Sequence, residues 1–89
     1  MSMYEQLCAY VVALADAFNR GRVREKLKPL ADQTISKRIA GKDNQFIANC
    51  RDPGQRSFTA MTFDEVVDGF AANWPEKAKW PRGVRRPQD

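Results

Sequence analysis

Residues 31–42 form a short basic segment that is rich in hydrogen-bonding and cationic side chains. Ile35 and Ile39 stand four positions apart, so on a helix they share one face, and Ala31 continues that apolar stripe toward the start. The polar side chains Gln33, Thr34, Ser36, Lys37 and Arg38 are then left on or beside the opposite face. These side chains suit base edges and phosphate oxygens. The spacing therefore predicts a helix from Ala31 to Gly41 whose polar face contacts DNA.

This string also carries a resemblance to a known family. Its sequence is Asp-Gln-Thr-Ile-Ser-Lys-Arg-Ile, residues 32–39. It resembles the recognition helix of helix-turn-helix regulators such as the lac repressor family, in which a Gln-Thr-Val-Ser-Arg type string enters the major groove. Glu25 and Pro29 stand where such proteins have a small residue in the supporting helix and a Gly in the turn. The resemblance implies that Asp32 and the polar residues after it contact DNA.

A second resemblance runs from about Leu30 to Pro87. Its motifs are Thr-Ile-Ser-x-Arg, then Phe-Thr-x-x-Thr, then Phe-x-x-Asn-Trp-Pro-Glu, and finally Trp-Pro-x-Gly-Val-x-Arg-Pro. This order is similar to that of short bacterial proteins, often associated with prophages, that are regarded as DNA-binding regulators. It implies a DNA-binding role in a phage or another mobile element.

The residue types argue against catalysis. Histidine is absent from the chain, which removes the commonest general base, the usual catalytic triads and most zinc sites. Asp64, Glu65 and Asp68 gather at one predicted helix start, where carboxylates favour the helix dipole and the unpaired amides. No Gly-rich phosphate loop occurs. We therefore expect no enzyme, no cofactor and no metal site, and we expect Cys8 and Cys50 to be buried thiols.

The chain of 89 residues has room for one small core. No apolar run approaches the roughly 20 residues that cross a bilayer, and the first residues lack the basic region of a secretion signal. We therefore expect a cytoplasmic protein, with a helical DNA-binding domain over residues 1–73 and a tail over residues 74–89.

The net charge of +4 is unevenly distributed along the chain. Residues 20–42 carry eight bases against two acids, and residues 74–89 carry five bases against two acids. Residues 1–19 and 43–73 are net acidic. Basic charge next to the predicted DNA-binding helix is the electrostatic pattern expected for nucleic-acid binding. A solvated basic face is the alternative interpretation.

Apolar periodicity and turn residues predict an all-α fold of four to five short helices, with a helix-turn-helix and an extended C-terminal tail. The capping boxes Ser2 with Glu5 and Thr62 with Glu65 predict two helix starts. A turn is expected at Arg51–Gly54, and an extended connection or one strand at Ser57–Met61. The predicted helices are Tyr4–Asn19 with its cap at Asn19 or Gly21, Val23–Lys28 ended by Pro29, Ala31–Gly41, Gln45–Cys50, and a last one from Thr62 to Asn73. In an alternative interpretation, Gln45–Cys50 continues the preceding helix through Gly41.

The tail contains two Trp-Pro pairs, at Trp74 and Trp80, beside several arginines. Disordered segments rarely contain tryptophan, so we expect both rings to dock on the domain or on a partner subunit. The arginines have two interpretations, an arm for phosphates or the minor groove, and a merely solubilising terminus. The apolar stripe of the first helix is wide, which fits either a core helix or a dimer surface. The dimer candidates are Tyr10, Val11, Phe18 and Trp80.

The leading hypothesis is a sequence-specific transcriptional regulator that binds DNA as a dimer, as repressor, activator or excision-type accessory factor. A small phage-type inhibitor of a host protein, such as an anti-CRISPR or anti-activator, is the alternative, with the first helix and the Trp tail as its surface. RNA binding comes third, because no aromatic platform is present. The DNA-binding candidates are Arg22, Arg24, Asp32, Gln33, Thr34, Ser36, Lys37, Arg38, Lys42, Arg82, Arg85 and Arg86.

Overall fold

A computed structural model of the chain describes residues 3–40, 45–52 and 62–85. The described residues form four α-helices and no strand, which confirms the all-α fold class. None of these helices combines the length and the apolar character that crossing a bilayer requires. The helices are α1 (Met3–Arg24), α2 (Asp32–Ala40), α3 (Phe46–Arg51) and α4 (Phe63–Ala72).

One apolar core joins all four helices. Helix α1 contributes a buried stripe at the spacing of one helix face, and the other three helices close over it. Cys8 and Cys50 are both buried thiols, as predicted. Val11 and Phe18 are 0% and 1% exposed, so the prediction that they form a dimer interface is wrong. The core side chains include Leu14 and Ala15 of α1, Ile35 and Ile39 of α2, Phe46 and Ile47 of α3, and Val66, Val67 and Phe70 of α4.

Helix α1 is longer than predicted, because it continues through Gly21 to Arg24. Lys26, two residues after the last residue of α1, adopts the left-handed conformation (φ 62°). The amide of Lys26 donates to the carbonyl of Val23, and the amide of Leu27 donates to that of Arg22. This is the hydrogen-bond pattern of a Schellman helix end. Gly21 therefore does not cap the helix.

The predicted helix Val23–Lys28 does not form. Its first two residues end α1, and the chain over 25–31 is not helical. Asn19 holds this connection against α1: its side chain donates to the carbonyl of Leu30 (2.9 Å) and accepts from the Leu30 amide (2.8 Å). The expected supporting helix of a helix-turn-helix is thus replaced by a loop that is fixed at its end.

The start of α4 confirms the prediction from its capping box. The Thr62 hydroxyl accepts from the Glu65 amide (3.1 Å), and the Glu65 carboxylate accepts from the Thr62 amide (3.2 Å). The helix ends at Ala72 with Asn73 as its C-cap. The predictions on Ser2, on Gly41 as a helix stop, and on residues 53–61 lie outside the described residues.

Residues 74–85, here called the C-terminal strap, run from the end of α4 back along the helices. The Trp74 ring lies 6.2 Å from Phe18, 6.3 Å from Phe70 and 4.7 Å from Trp80, measured between ring centroids. The indole of Trp74 donates to the carbonyl of Ala78 (2.9 Å), and that of Trp80 donates to Val84 (3.0 Å). Both tryptophans therefore dock on the domain, which confirms that prediction.

Replacing Trp74 should destabilise the fold more than replacing Trp80. Trp74→Ala should lower the free energy of unfolding by about 3–5 kcal/mol, because three described aromatic rings lose a neighbour. Trp80→Ala should cost less, about 1–3 kcal/mol, because Trp80 is a half-buried residue at the edge of the core. Urea unfolding followed by circular dichroism measures both values. Equal losses for the two variants would contradict this account of the strap.

Candidate nucleic-acid interface

Helix α2 is fixed by one buried face. Ile35 and Ile39 are 0% and 9% exposed, as their spacing predicts, whereas Ala31 is exposed and does not continue the stripe. Gly69 lets the backbone of α4 come close to this helix. A Cβ atom at position 69 would lie 2.9 Å from the carbonyl oxygen of Ile39. The apolar face of α2 is thereby held against α4 and the core.

Ser36 belongs to the buried face, so its predicted contact with DNA is wrong. It is 0% exposed, and its hydroxyl oxygen accepts a hydrogen bond from the Ile47 amide (2.9 Å). That amide is one of the unpaired donors at the start of α3, and the N-cap residue Gln45 makes no side-chain cap bond. Ser36 therefore caps α3 from a neighbouring helix.

An ion-pair cluster at the start of α2 ties it to two other helices. Arg51 of α3 donates to both carboxylate oxygens of Asp32 (2.6 and 3.1 Å) and to Asp16 of α1 (2.8 Å). These hydrogen bonds, first to Asp32 and then to Asp16, raise the pKa of Arg51 above its ordinary value. The carboxylate of Asp32, predicted as a DNA contact, is instead engaged within the protein.

The outer face of α2 presents four polar side chains to solvent. Gln33, Thr34, Lys37 and Arg38 are all exposed. Gln33 and Lys37 are separated by one turn, as are Thr34 and Arg38, so the four form two adjacent rows. Their predicted exposure is confirmed. This face combines an amide, a hydroxyl and two cations on one rigid helix.

The remaining candidates occupy different settings. Arg22 is half-buried, and its Nε donates to the carbonyl of Lys28 (2.9 Å). Arg85 pairs with Asp64 and lies 5.5 Å from the centroid of the Phe63 ring. Arg24 and Arg82 are exposed, and Lys42 and Arg86 lie outside the described residues. Of the dimer candidates, Tyr10 packs on Phe63 with ring centroids 5.1 Å apart, and Trp80 is half-buried in the strap.

Several exposed bases were missing from the predicted site. Arg20, Lys26 and Lys28 lie at the end of α1 and in the loop before α2, and all three are exposed. The uneven distribution of charge indicated this region without singling out these residues. No comparable signal marked Arg51, because its partners are distant in sequence.

Comparison with known protein families, curated proteins and solved structures finds no match for this chain. The likeness to helix-turn-helix regulators therefore stays a prediction. Function is therefore inferred from the geometry of α2 and from the charges around it.

Two neighbouring hydroxyls on α2 should differ sharply in their effect on stability. Ser36→Ala leaves the buried Ile47 amide without its acceptor and should lower the free energy of unfolding by about 1–3 kcal/mol. Thr34→Ala is the matched control on the exposed face and should change it by less than about 0.5 kcal/mol. Thermal unfolding monitored by circular dichroism compares them. A similar loss for both variants would refute the capping role of Ser36.

Proposed function

We propose that this protein is a sequence-specific DNA-binding regulator of transcription that reads DNA with the exposed face of α2. One observation carries the proposal: four exposed polar side chains lie in two rows on a helix whose opposite face is fixed in the core. The major groove of B-DNA admits an α-helix. A helix held by one buried face and by an ion pair at its start presents its side chains in one defined geometry, which specific recognition requires.

The chemistry of the four side chains matches base edges and phosphates. Gln33 can bond an adenine edge in two places, and Lys37 or Arg38 can bond guanine or a phosphate. Thr34 can donate to a phosphate oxygen or to a base. Each good bidentate pair contributes about 1–3 kcal/mol of discrimination against the wrong base.

Electrostatics supports the same partner. The loop before α2 carries the exposed bases Lys26 and Lys28, and the hydrogen bonds of Asn19 with Leu30 hold the end of this loop in place. Cations a few residues before a reading helix can contact the phosphates that flank the groove. The loop thus supplies affinity where α2 supplies specificity.

Pairing of two copies on a two-fold site is part of the proposal. A single module of this size buries little protein surface on DNA, and a second copy adds affinity and fixes the spacing of the half-sites. With Val11 and Phe18 inside the core, Tyr10 and Trp80 are the predicted interface residues that retain exposed surface.

Substitutions on α2 should separate reading from positioning. Against a duplex selected from a randomised pool, Gln33→Ala should relax the preference at one base pair by about 1–3 kcal/mol and spare non-specific binding. If Arg38 contacts a phosphate, Arg38→Ala should weaken all duplexes alike and reduce the salt slope by about 0.9. Fluorescence anisotropy at several salt concentrations measures both effects, and circular dichroism checks the fold of each variant.

Two results would count against the proposal. Absence of binding to any duplex at low salt, with the fold intact, would exclude DNA as the partner. Equal, sequence-independent losses for Gln33→Ala and Arg38→Ala would mean that α2 lies on the DNA backbone and that another element reads the bases.

An apolar groove favours a second candidate function, binding to a host protein. The groove lies between the start of α1 and the start of α4, and Met3 beside it is 88% exposed. Apolar surface of this kind suits a protein partner. A chain that binds no DNA would make this candidate the leading one. The side chains along the groove include Tyr4, Leu7, Tyr10 and Phe63.

A further inference from the structure

The fold joins two basic segments that are far apart in sequence. The end of α1 and the C-terminal strap meet where Gly21 faces Ala78, and a Cβ atom at position 21 would lie 2.8 Å from the Cα of Ala78. Directly after the last residue of α1, the Glu25 carboxylate accepts a hydrogen bond from the Lys77 amide (3.1 Å). These two contacts hold the strap on the last turns of α1.

Four exposed cations surround this junction. Arg24 follows Gly21 by three positions and Arg20 by four, so all three lie along one side of α1. Lys77 and Lys79 flank Ala78 in the strap. All four cations are exposed, and none forms an ion pair within the described part of the chain. Two acids also lie at the junction: Glu25, whose carboxylate accepts from the Lys77 amide, and the exposed Glu76 beside Lys77.

We infer that Arg20, Arg24, Lys77 and Lys79, here called the basic clasp, bind the phosphate backbone of DNA. The inference rests on the proposed function. Phosphate contacts carry no sequence information, but they fix the register of a protein on the duplex and supply much of its affinity. One guanidinium group can donate two parallel hydrogen bonds to the oxygens of a phosphate, and a lysine supplies a point charge on a flexible side chain.

The clasp depends on the absence of a side chain at position 21. Any Cβ atom there meets Ala78, so the strap must shift relative to α1, and Lys77 and Lys79 shift with it. If the four cations act as one surface, displacing the strap should weaken binding to DNA even though every cation is retained. Charge alone, without this arrangement, predicts no such effect.

The test uses the full chain and a short random-sequence duplex, with anisotropy measured across a series of KCl concentrations. Lys77→Ala combined with Lys79→Ala should reduce the slope of log K against log salt by about 2, since each lost phosphate contact removes about 0.9. Lys77→Arg with Lys79→Arg keeps the charge and should match the wild type. Gly21→Leu should reproduce the loss of the double alanine variant with all cations present.

The outcomes separate this inference from the proposed function. If the wild type binds the duplex and the double alanine variant keeps the wild-type affinity and salt slope, the inference that the clasp contacts phosphates is wrong. The proposal that α2 reads DNA is unaffected by that result. If the wild type binds no duplex at any KCl concentration of the series, the proposed function fails and the clasp fails with it. Should Gly21→Leu not fold by circular dichroism, the comparison of the alanine and arginine pairs still decides.

Discussion

The burial of one face of α2 is the constraint on which the rest of the structure depends. Ile35 and Ile39 are buried in the core. Ser36, between them, accepts a hydrogen bond from the Ile47 amide, which has no partner within α3. Arg51 then binds Asp32 at the start of the same helix. Because these contacts restrain α2, the rotation of the helix about its axis is set, and its polar side chains must face solvent.

The C-terminal strap contributes to the same core. Trp74 packs against both Phe18 of α1 and Phe70 of α4, and Val84 is buried farther along the strap. A chain of this length has little core to lose, so a strap that carries two tryptophans contributes substantially to its stability. Its course also places Lys77 and Lys79 beside the end of α1.

The sequence was most informative where local rules decide the structure. The apolar spacing of α2 and the capping box of Thr62 and Glu65 were sufficient to predict two helices, because their signals lie within a few residues. The exposure of Gln33 and Arg38 followed from the same periodicity.

The errors occurred where a residue acts on a partner that is distant in sequence. Glycine is a residue type typical of helix ends, but Gly21 lies inside α1 and allows the close approach of Ala78, 57 positions later. Asn19 holds Leu30, and Ser36 caps α3 across 11 residues. Helical periodicity leaves Ser36 beside the apolar stripe, and only the position of α3 decides that it is buried. Such contacts have no local signature.

Recognition of DNA by the outer face of α2 is the central claim, and an NMR titration tests it most directly. Amide resonances of the 15N-labelled chain are followed while a selected duplex is added. The account predicts that the largest shift changes occur at Gln33, Thr34, Lys37 and Arg38, with the core amides of α1 little affected. Changes confined to the groove around Met3 and Phe63, or no changes on α2 at saturating duplex, would contradict it.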